Sequence, residues 1–133
     1  YIKRTIERFG EAVPFRLDHE HRLWEYGLAL RALTRAGGRS VLEVGGGGSV
    51  FAPAAARLGF QPLVIDPDDC SAGIAHQARA LGVQLGYAPL DFFDFHTKEL
   101  FDAVCCLSVI EHVEREDDFF VRLLRHVKPG GIL

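Results

Sequence analysis

The chain is 133 residues long, 48% hydrophobic and 25% charged, with a net charge of -3 and a pI near 6.1. That length and apolar content suit one globular domain with its own core and argue against a second. The mild acidity leaves no basic footprint for nucleic acid or an anionic membrane, so the expected substrate is a small molecule or a protein.

Leu23, Trp24, Leu28, Leu30 and Leu33 recur among charges between Asp18 and Ala36, a helical rhythm that Gly37 and Gly38 close. Ser40 to Val44 is a short apolar strand. After four glycines, Ala52 to Leu58 is helix-like, with Pro53 tolerable only in the first turn and Gly59 as the stop. Gln61 to Ile65 forms a second strand that ends in Asp66, Ser71 to Leu81 a helix stopped by Gly82, and Val83 to Tyr87 a third strand. Phe101 to Leu107 is the fourth. Glu114 to Val127 is a helix with acids in its first turn and Arg125, His126 and Lys128 at its end, as the helix dipole prefers. Pro129, Gly130 and Gly131 then turn the chain into Ile132 and Leu133, the opening of a fifth strand.

Strands alternating with helices of this length imply βαβ units. The predicted fold class is α/β: a Rossmann-like, doubly wound, mostly parallel sheet with helices on both faces, breaking off as the fifth strand begins. In such sheets ligands bind at the carboxyl ends of the strands, near the switch point beside the first.

Cys105 and Cys106 point to opposite faces of a strand and Cys70 stands apart, so no disulfide framework or zinc site is expected. No apolar stretch reaches the roughly 18 residues a membrane helix needs, and no charged-then-apolar signal opens the chain. A cytoplasmic setting follows. The chain starts at Tyr1 and stops at Gly-Gly-Ile-Leu, which reads as a piece of something longer.

Residues 41 to 49 read Val-Leu-Glu-Val-Gly-Gly-Gly-Gly-Ser. Glycine loses the most backbone freedom on ordering, so four together suggest a ligand, nucleotide-like, lying close against the backbone. A dinucleotide fingerprint needs glycine at its first, third and sixth positions; counted from Gly45 the sixth is Val50, and from Gly46 it is Phe51. A P-loop fails because no Gly-Lys-Ser/Thr follows. Asp66 comes 21 residues after Gly45, near the spacing of about 20 at which a second-strand acid reaches ribose hydroxyls. A carboxylate there also disfavours a 2′-phosphate.

What these residues resemble is the class I S-adenosylmethionine-dependent methyltransferases. Glu43 stands two before Gly45-x-Gly47, with Ser49 where many members have a third glycine. Further landmarks follow in order: Asp66 in Leu-Val-Ile-Asp-Pro, Asp91 in Leu-Asp-Phe-Phe, Phe-Asp-Ala-Val opening the fourth strand, Ser-Val-Ile-Glu-His-Val after it, and Leu-Leu-Arg-His-Val-Lys-Pro-Gly-Gly before the fifth. They cover residues 39 to 133.

The resemblance implies S-adenosylmethionine as cofactor and methyl transfer to a small-molecule acceptor, oxygen mildly preferred. It divides the chain into an N-terminal helical segment, 1–38, on the lid or acceptor side, and a cofactor-binding core, 39–133. Cofactor residues carried over are Glu43, Gly45, Gly46, Gly47, Asp66, Pro67, Asp91, Phe92 and Ser108. Glu43 helps hold the cationic amino-acid end, directly or through water, Asp66 the ribose, and Asp91 the adenine amino group with the Phe92 backbone near the ring. Gly46 and Gly48 only keep the loop slim. The alternative for Asp91 is an ordinary loop acid; Phe93 and Phe95 are read as core aromatics, and Asp68 and Asp69 as solvated turn residues.

His112 is the candidate base, since an imidazole titrates near neutrality; the alternative is that Glu-His-Val caps the loop. No metal site is expected. His19 and His21, two apart, do not share a helix face. Trp24 and Tyr26 cover the cofactor or line the acceptor pocket, unless Trp24 is core.

Methyl transfer is an in-line displacement in which positioning supplies much of the rate, so no catalytic triad is required. The absence of an Asn/Asp-Pro-Pro-Tyr/Phe motif argues against adenine, cytosine N4 or glutamine acceptors. Two rivals remain: a non-catalytic cofactor-binding module, and a nicotinamide-dependent oxidoreductase, for which a Tyr-x-x-x-Lys pair is missing. The full family domain has seven strands, so an exposed apolar edge is expected after the fourth strand, covered by a partner copy or by strands outside this sequence.

Overall fold

Val41, Leu42 and Val44 give the first strand an apolar side chain on each face, and the sheet builds outward from it. The computed structural model describes residues 20–133, with side chains from Trp24 onward. The predicted helix start at Asp18, His19, and the side chains of His21 and Leu23 lie outside the described residues. In chain order come α1 (Glu20–Ala36), β1 (Ser40–Val44), α2 (Phe51–Arg57), β2 (Gln61–Asp66), α3 (Ser71–Leu81), β3 (Gly86–Pro89), β4 (Phe101–Cys105), α4 (Glu116–Arg125) and β5 (Val127–Ile132). Short 3-10 turns at Phe92–Asp94 and Ile110–His112 follow β3 and β4.

The sheet order is β3-β2-β1-β4-β5, every pair parallel. From β1 the chain winds out through β2 to β3, then crosses back to β4 on the other side. The switch point therefore lies between the carboxyl ends of β1 and β4, where Glu43 is level with Cys105. Tyr26, Leu30 and Leu33 of α1 and Phe51, Ala54 and Ala55 of α2 pack on Val41 and Ala103 on one face. Phe119 and Leu123 of α4 pack on Leu42, Val44, Ile65 and Val104 on the other. Cys105 lies against the first cluster and Cys106 against the second, as strand alternation predicts. Among the described residues, no helix is long and apolar enough to cross a membrane.

Several boundaries differ from the sequence reading, each for a local reason. Tyr26, Leu30 and Leu33, spaced by four and three, form the buried stripe of α1. Trp24 falls on another side of that helix and is 73% exposed, so it is not core. The third strand starts three residues late because Val83 N–H still donates to Ala78 O at the end of α3, behind Gly82 in the left-handed region. Pairing begins only at Gly86, opposite Leu63, whose side chain leaves no room for a Cβ.

The last helix is Glu116–Arg125 and not 114–127, since Val127 already pairs with Phe101. Pro129, Gly130 and Gly131 are not a turn into the fifth strand but lie within it, at a register shift where a Cβ on Gly131 would stand 2.7 Å from Asp102 O. An edge strand tolerates proline, which has no N–H to pair. β5 pairs with β4, so among the described residues the fourth strand is not the edge of the sheet.

Candidate functional site

The four glycines form the loop between β1 and α2, and its neighbours leave little space for side chains. Gly45 has φ +73°, donates its N–H to Ile65 O at 2.7 Å, and would collide with Val109 if it carried a Cβ. A Cβ on Gly46 would collide with the Glu43 carboxyl, and one on Gly47 would stand 2.8 Å from both Asp66 Cγ and Cys70 Sγ. Gly48 has open space around it. Gly46 is thus required by the packing of Glu43, a closer constraint than slimness of the loop. Ser49 N–H closes the loop onto Gly46 O at 3.0 Å, and its hydroxyl accepts Phe51 N–H at 2.9 Å as α2 begins.

Glu43 lies beneath this loop, 1% exposed, and its Oε2 has no hydrogen-bond partner among the described residues. Burial pushes its carboxyl up to about 8, against the pull of the Ser49 hydroxyl and the Ala52 amide and with a further push from the Asp66 charge. An unpartnered buried acid is costly unless something positive or hydrogen-bonding completes it.

Asp66, half-buried at the end of β2, accepts Gly47 N–H on Oδ2 at 2.8 Å and Asp68 N–H on Oδ1 at 3.0 Å. One carboxylate thus ties the β2 turn to the glycine loop, and each oxygen retains a lone pair. Pro67, Asp68 and Asp69 are exposed, and Asp69 Oδ1 accepts Ser71 N–H at 3.1 Å at the start of α3. The Tyr87 hydroxyl, not singled out in the sequence, donates to Asp68 O and accepts Cys70 N–H at 2.9 Å, bracing this turn from β3.

Beyond β3, exposed Asp91 accepts Phe93 N–H on Oδ1 at 2.7 Å and caps the turn it precedes. The Phe92 ring is buried, edge-on to Phe119 at 5.3 Å and 5.6 Å from the His126 ring. Phe93 and Phe95 are half-buried against the same cluster. Arg122 of α4 reaches across to donate to Phe92 O at 3.0 Å and Phe95 O at 2.7 Å.

Beyond β4, Ser108 holds φ +54°, unusual for a residue with a Cβ, and donates its hydroxyl to Glu25 Oε2 of α1 at 3.0 Å. Glu111 and His112 are exposed on the following turn. Among the described residues, no group of three or more His, Cys, Asp or Glu side chains is placed to hold a metal ion.

The structure therefore packs Gly46 on Glu43, Gly47 on Asp66 and Gly45 on Val109 of the segment after β4, ties Ser108 of that segment to α1, and leaves Asp91 and His112 on separate turns. Glu25, Tyr87 and Arg122 escaped the sequence reading. Each is a polar residue on an amphipathic element, and only the tertiary fold shows which way it reaches. At the opposite, amino ends of the strands, Asp102 accepts Arg39 N–H, Ser40 N–H and the Ser40 hydroxyl at 2.8 to 2.9 Å and pairs with Lys128 at 2.8 Å.

A family model described as a methyltransferase domain matches residues 16–133. The ubiquinone biosynthesis O-methyltransferase of Rickettsia canadensis (strain McKiel) is 37% identical over 93 residues, covering 69% of this chain and 39% of that protein. The protein of the same name from Agrobacterium fabrum is 32% identical over 134 residues, covering 98% of this chain and 52% of its own. The chain thus spans between 39% and 52% of the length of these two relatives. The crystal structure of the N-methyltransferase NodS from Bradyrhizobium japonicum WM9 in complex with S-adenosyl-L-homocysteine shares the fold, with a TM-score of 0.74 at 23% identity over 98% of this chain and 70% of that one.

Proposed function

We propose a function from one premise: this chain belongs to the class I S-adenosylmethionine-dependent methyltransferases, through the methyltransferase domain that spans residues 16–133. It binds S-adenosylmethionine at the carboxyl ends of β1 to β4 and transfers the methyl group to an oxygen of a small molecule, in a cytoplasmic setting. The relatives named for O-methyl transfer in ubiquinone biosynthesis support the oxygen.

The observation that carries this reading is the buried Glu43 oxygen, without a hydrogen-bond partner among the described residues, against a loop whose glycines 45 to 47 have no room for a side chain. Those residues fit a ligand with a cationic amino-acid end. Gly45 and Gly47 admit its methionine and ribose portions against the backbone, and Glu43 acts from beneath, through the loop that covers it. Asp66 accepts from the ribose hydroxyls with the lone pairs its own turn leaves free, and Pro67 follows as the turn residue beside it. Asp91 accepts from the adenine amino group next to the Phe92 backbone.

When bound, the sulfonium supplies an already activated methyl group. The protein's own task is then alignment and exclusion of water. Ser108 fixes the β4 end against α1, and His112 on the next turn takes the acceptor proton.

Calorimetry of the chain with S-adenosylhomocysteine and with NAD tests the cofactor. We expect S-adenosylhomocysteine to bind and NAD not to, and Asp66→Ala to weaken the former by about 10- to 100-fold, the worth of one or two hydrogen bonds. Binding of NAD alone would overturn the reading. Release of S-adenosylhomocysteine in the presence of hydroxylated small molecules tests the transfer, and binding without release would assign a cofactor-binding module.

A further inference from the structure

We propose that Arg122 is a positioning residue for recognition of the base: from α4 it fixes the turn that carries Asp91 and so sets the selectivity for an amino group at the adenine edge. The inference deepens the function proposed above and rests on Asp91 as the acid that meets that amino group.

Arg122 is half-buried and spans the whole turn. Nε donates to Phe92 O at 3.0 Å and Nη2 to Phe95 O at 2.7 Å, while the guanidinium lies over the Phe92 and Phe93 rings at 5.6 and 6.0 Å from their centroids. The fork of a guanidinium is rigid, so two carbonyls bonded to one arginine are held at a set separation. Inside the turn, Asp94 N–H donates to Asp91 O at 2.9 Å and Phe95 N–H to Phe92 O at 3.3 Å. Phe93 N–H donates to Asp91 Oδ1 at 2.7 Å, which fixes the carboxylate and leaves Oδ2 for a ligand.

A continuous chain of bonds therefore runs from Arg122 through the turn to the Asp91 side chain. Its root is firm, because Phe119 and Leu123 on either side of Arg122 are fully packed against the sheet. A fixed acceptor meets an amino group without being ordered first, whereas a loosened one must be ordered and binds that group more weakly; the oxo group makes no such bond in either case.

The test compares affinity for S-adenosylhomocysteine with affinity for its inosine counterpart, in which an oxo group replaces the amino group. Arg122→Met keeps the aliphatic stem over the rings and removes the donors. We expect the preference for the adenine ligand to fall about ten-fold, the worth of one hydrogen bond, while affinity for the inosine ligand changes by less than about two-fold. Arg122→Lys keeps the charge without the fork and shows the same loss, which covers the case in which the methionine variant does not fold.

Asp91→Ala separates the two levels of argument. If it abolishes the preference while both Arg122 variants retain it, the positioning role is wrong. Because ring N1 also gains a hydrogen in the inosine ligand, it is a preference undiminished by Asp91→Ala that would sink the assignment of Asp91 itself. Equal weakening of both ligands in the Arg122 variants marks general scaffolding and also overturns the proposal.

Discussion

A Cβ on Gly46 would collide with the carboxyl of Glu43, whereas one on Gly48 would meet nothing. The two glycines are two positions apart in one loop, yet their substitution should differ in sign. Glu43 is enclosed and cannot swing into solvent, so Gly46→Ala forces overpacking, which costs about 1–3 kcal/mol. Gly48→Ala fills open space at a φ outside the left-handed region and reduces the freedom of the unfolded chain, a gain of about 0.4–1 kcal/mol. Denaturant unfolding of both variants measures the contrast. Gly46→Ala should also be cheaper in a Glu43→Ala background, because the two residues touch and their effects do not add.

At the scale of elements, α1 reaches the loops at the carboxyl ends of the strands through a polar link and an aromatic one. Glu25 accepts the Ser108 hydroxyl at 3.0 Å, and the Tyr26 ring lies 6.5 Å from that of Phe51. Glu25→Ala removes a bond to a charged acceptor, worth about 1.5 kcal/mol, and should speed amide exchange in α1 by about ten-fold while leaving β1 unchanged. Equal acceleration in both elements would show that α1 does not open on its own. Neither Glu25 nor Arg122 was legible in the sequence, because their partners lie 83 and 30 residues away and nothing local encodes the reach. By contrast β1, β2 and the glycine loop were legible, since apolar runs end there on Glu43, Asp66 and Gly45, and all three interact within one βαβ unit. β3 and β5 were misplaced because helix ends and register shifts are decided by neighbouring strands: Val83 stays bonded to α3, and Pro129 to Gly131 are pulled into an edge strand.

For the whole molecule, two carboxyls at opposite ends of one sheet give stability opposite responses to pH. Asp102, at the amino ends, is held well below the ordinary range by Lys128 and by the Arg39 and Ser40 donors. Its contribution is present above the ordinary value of 3.8 and lost as pH falls, because the unfolded chain takes up the proton first. Glu43, raised to about 8 by burial, behaves in the reverse sense: its contribution is complete below 4.5 and lost as pH rises through 8, because here the folded chain holds the proton. His126, lowered from 6.5 by burial and by Arg122, adds stability as pH rises and opposes Glu43 until 6.5. The cysteine thiols and Tyr87 are raised from 9 and 10, beyond this range. Between pH 6.5 and 8 the raised carboxyl of Glu43 is therefore opposed neither by Asp102 nor by His126. Unfolding free energy should fall across that interval by at most about 1.4 kcal/mol per pH unit, the limit for one proton. Glu43→Gln, which cannot ionise, should flatten the slope there while leaving the loss below pH 4 intact. Urea titrations of both proteins at pH 6.5, 7.2 and 8 decide it. Parallel slopes would mean that Glu43 is already ionised in the folded chain and that a compensating positive charge reaches it from outside the described residues.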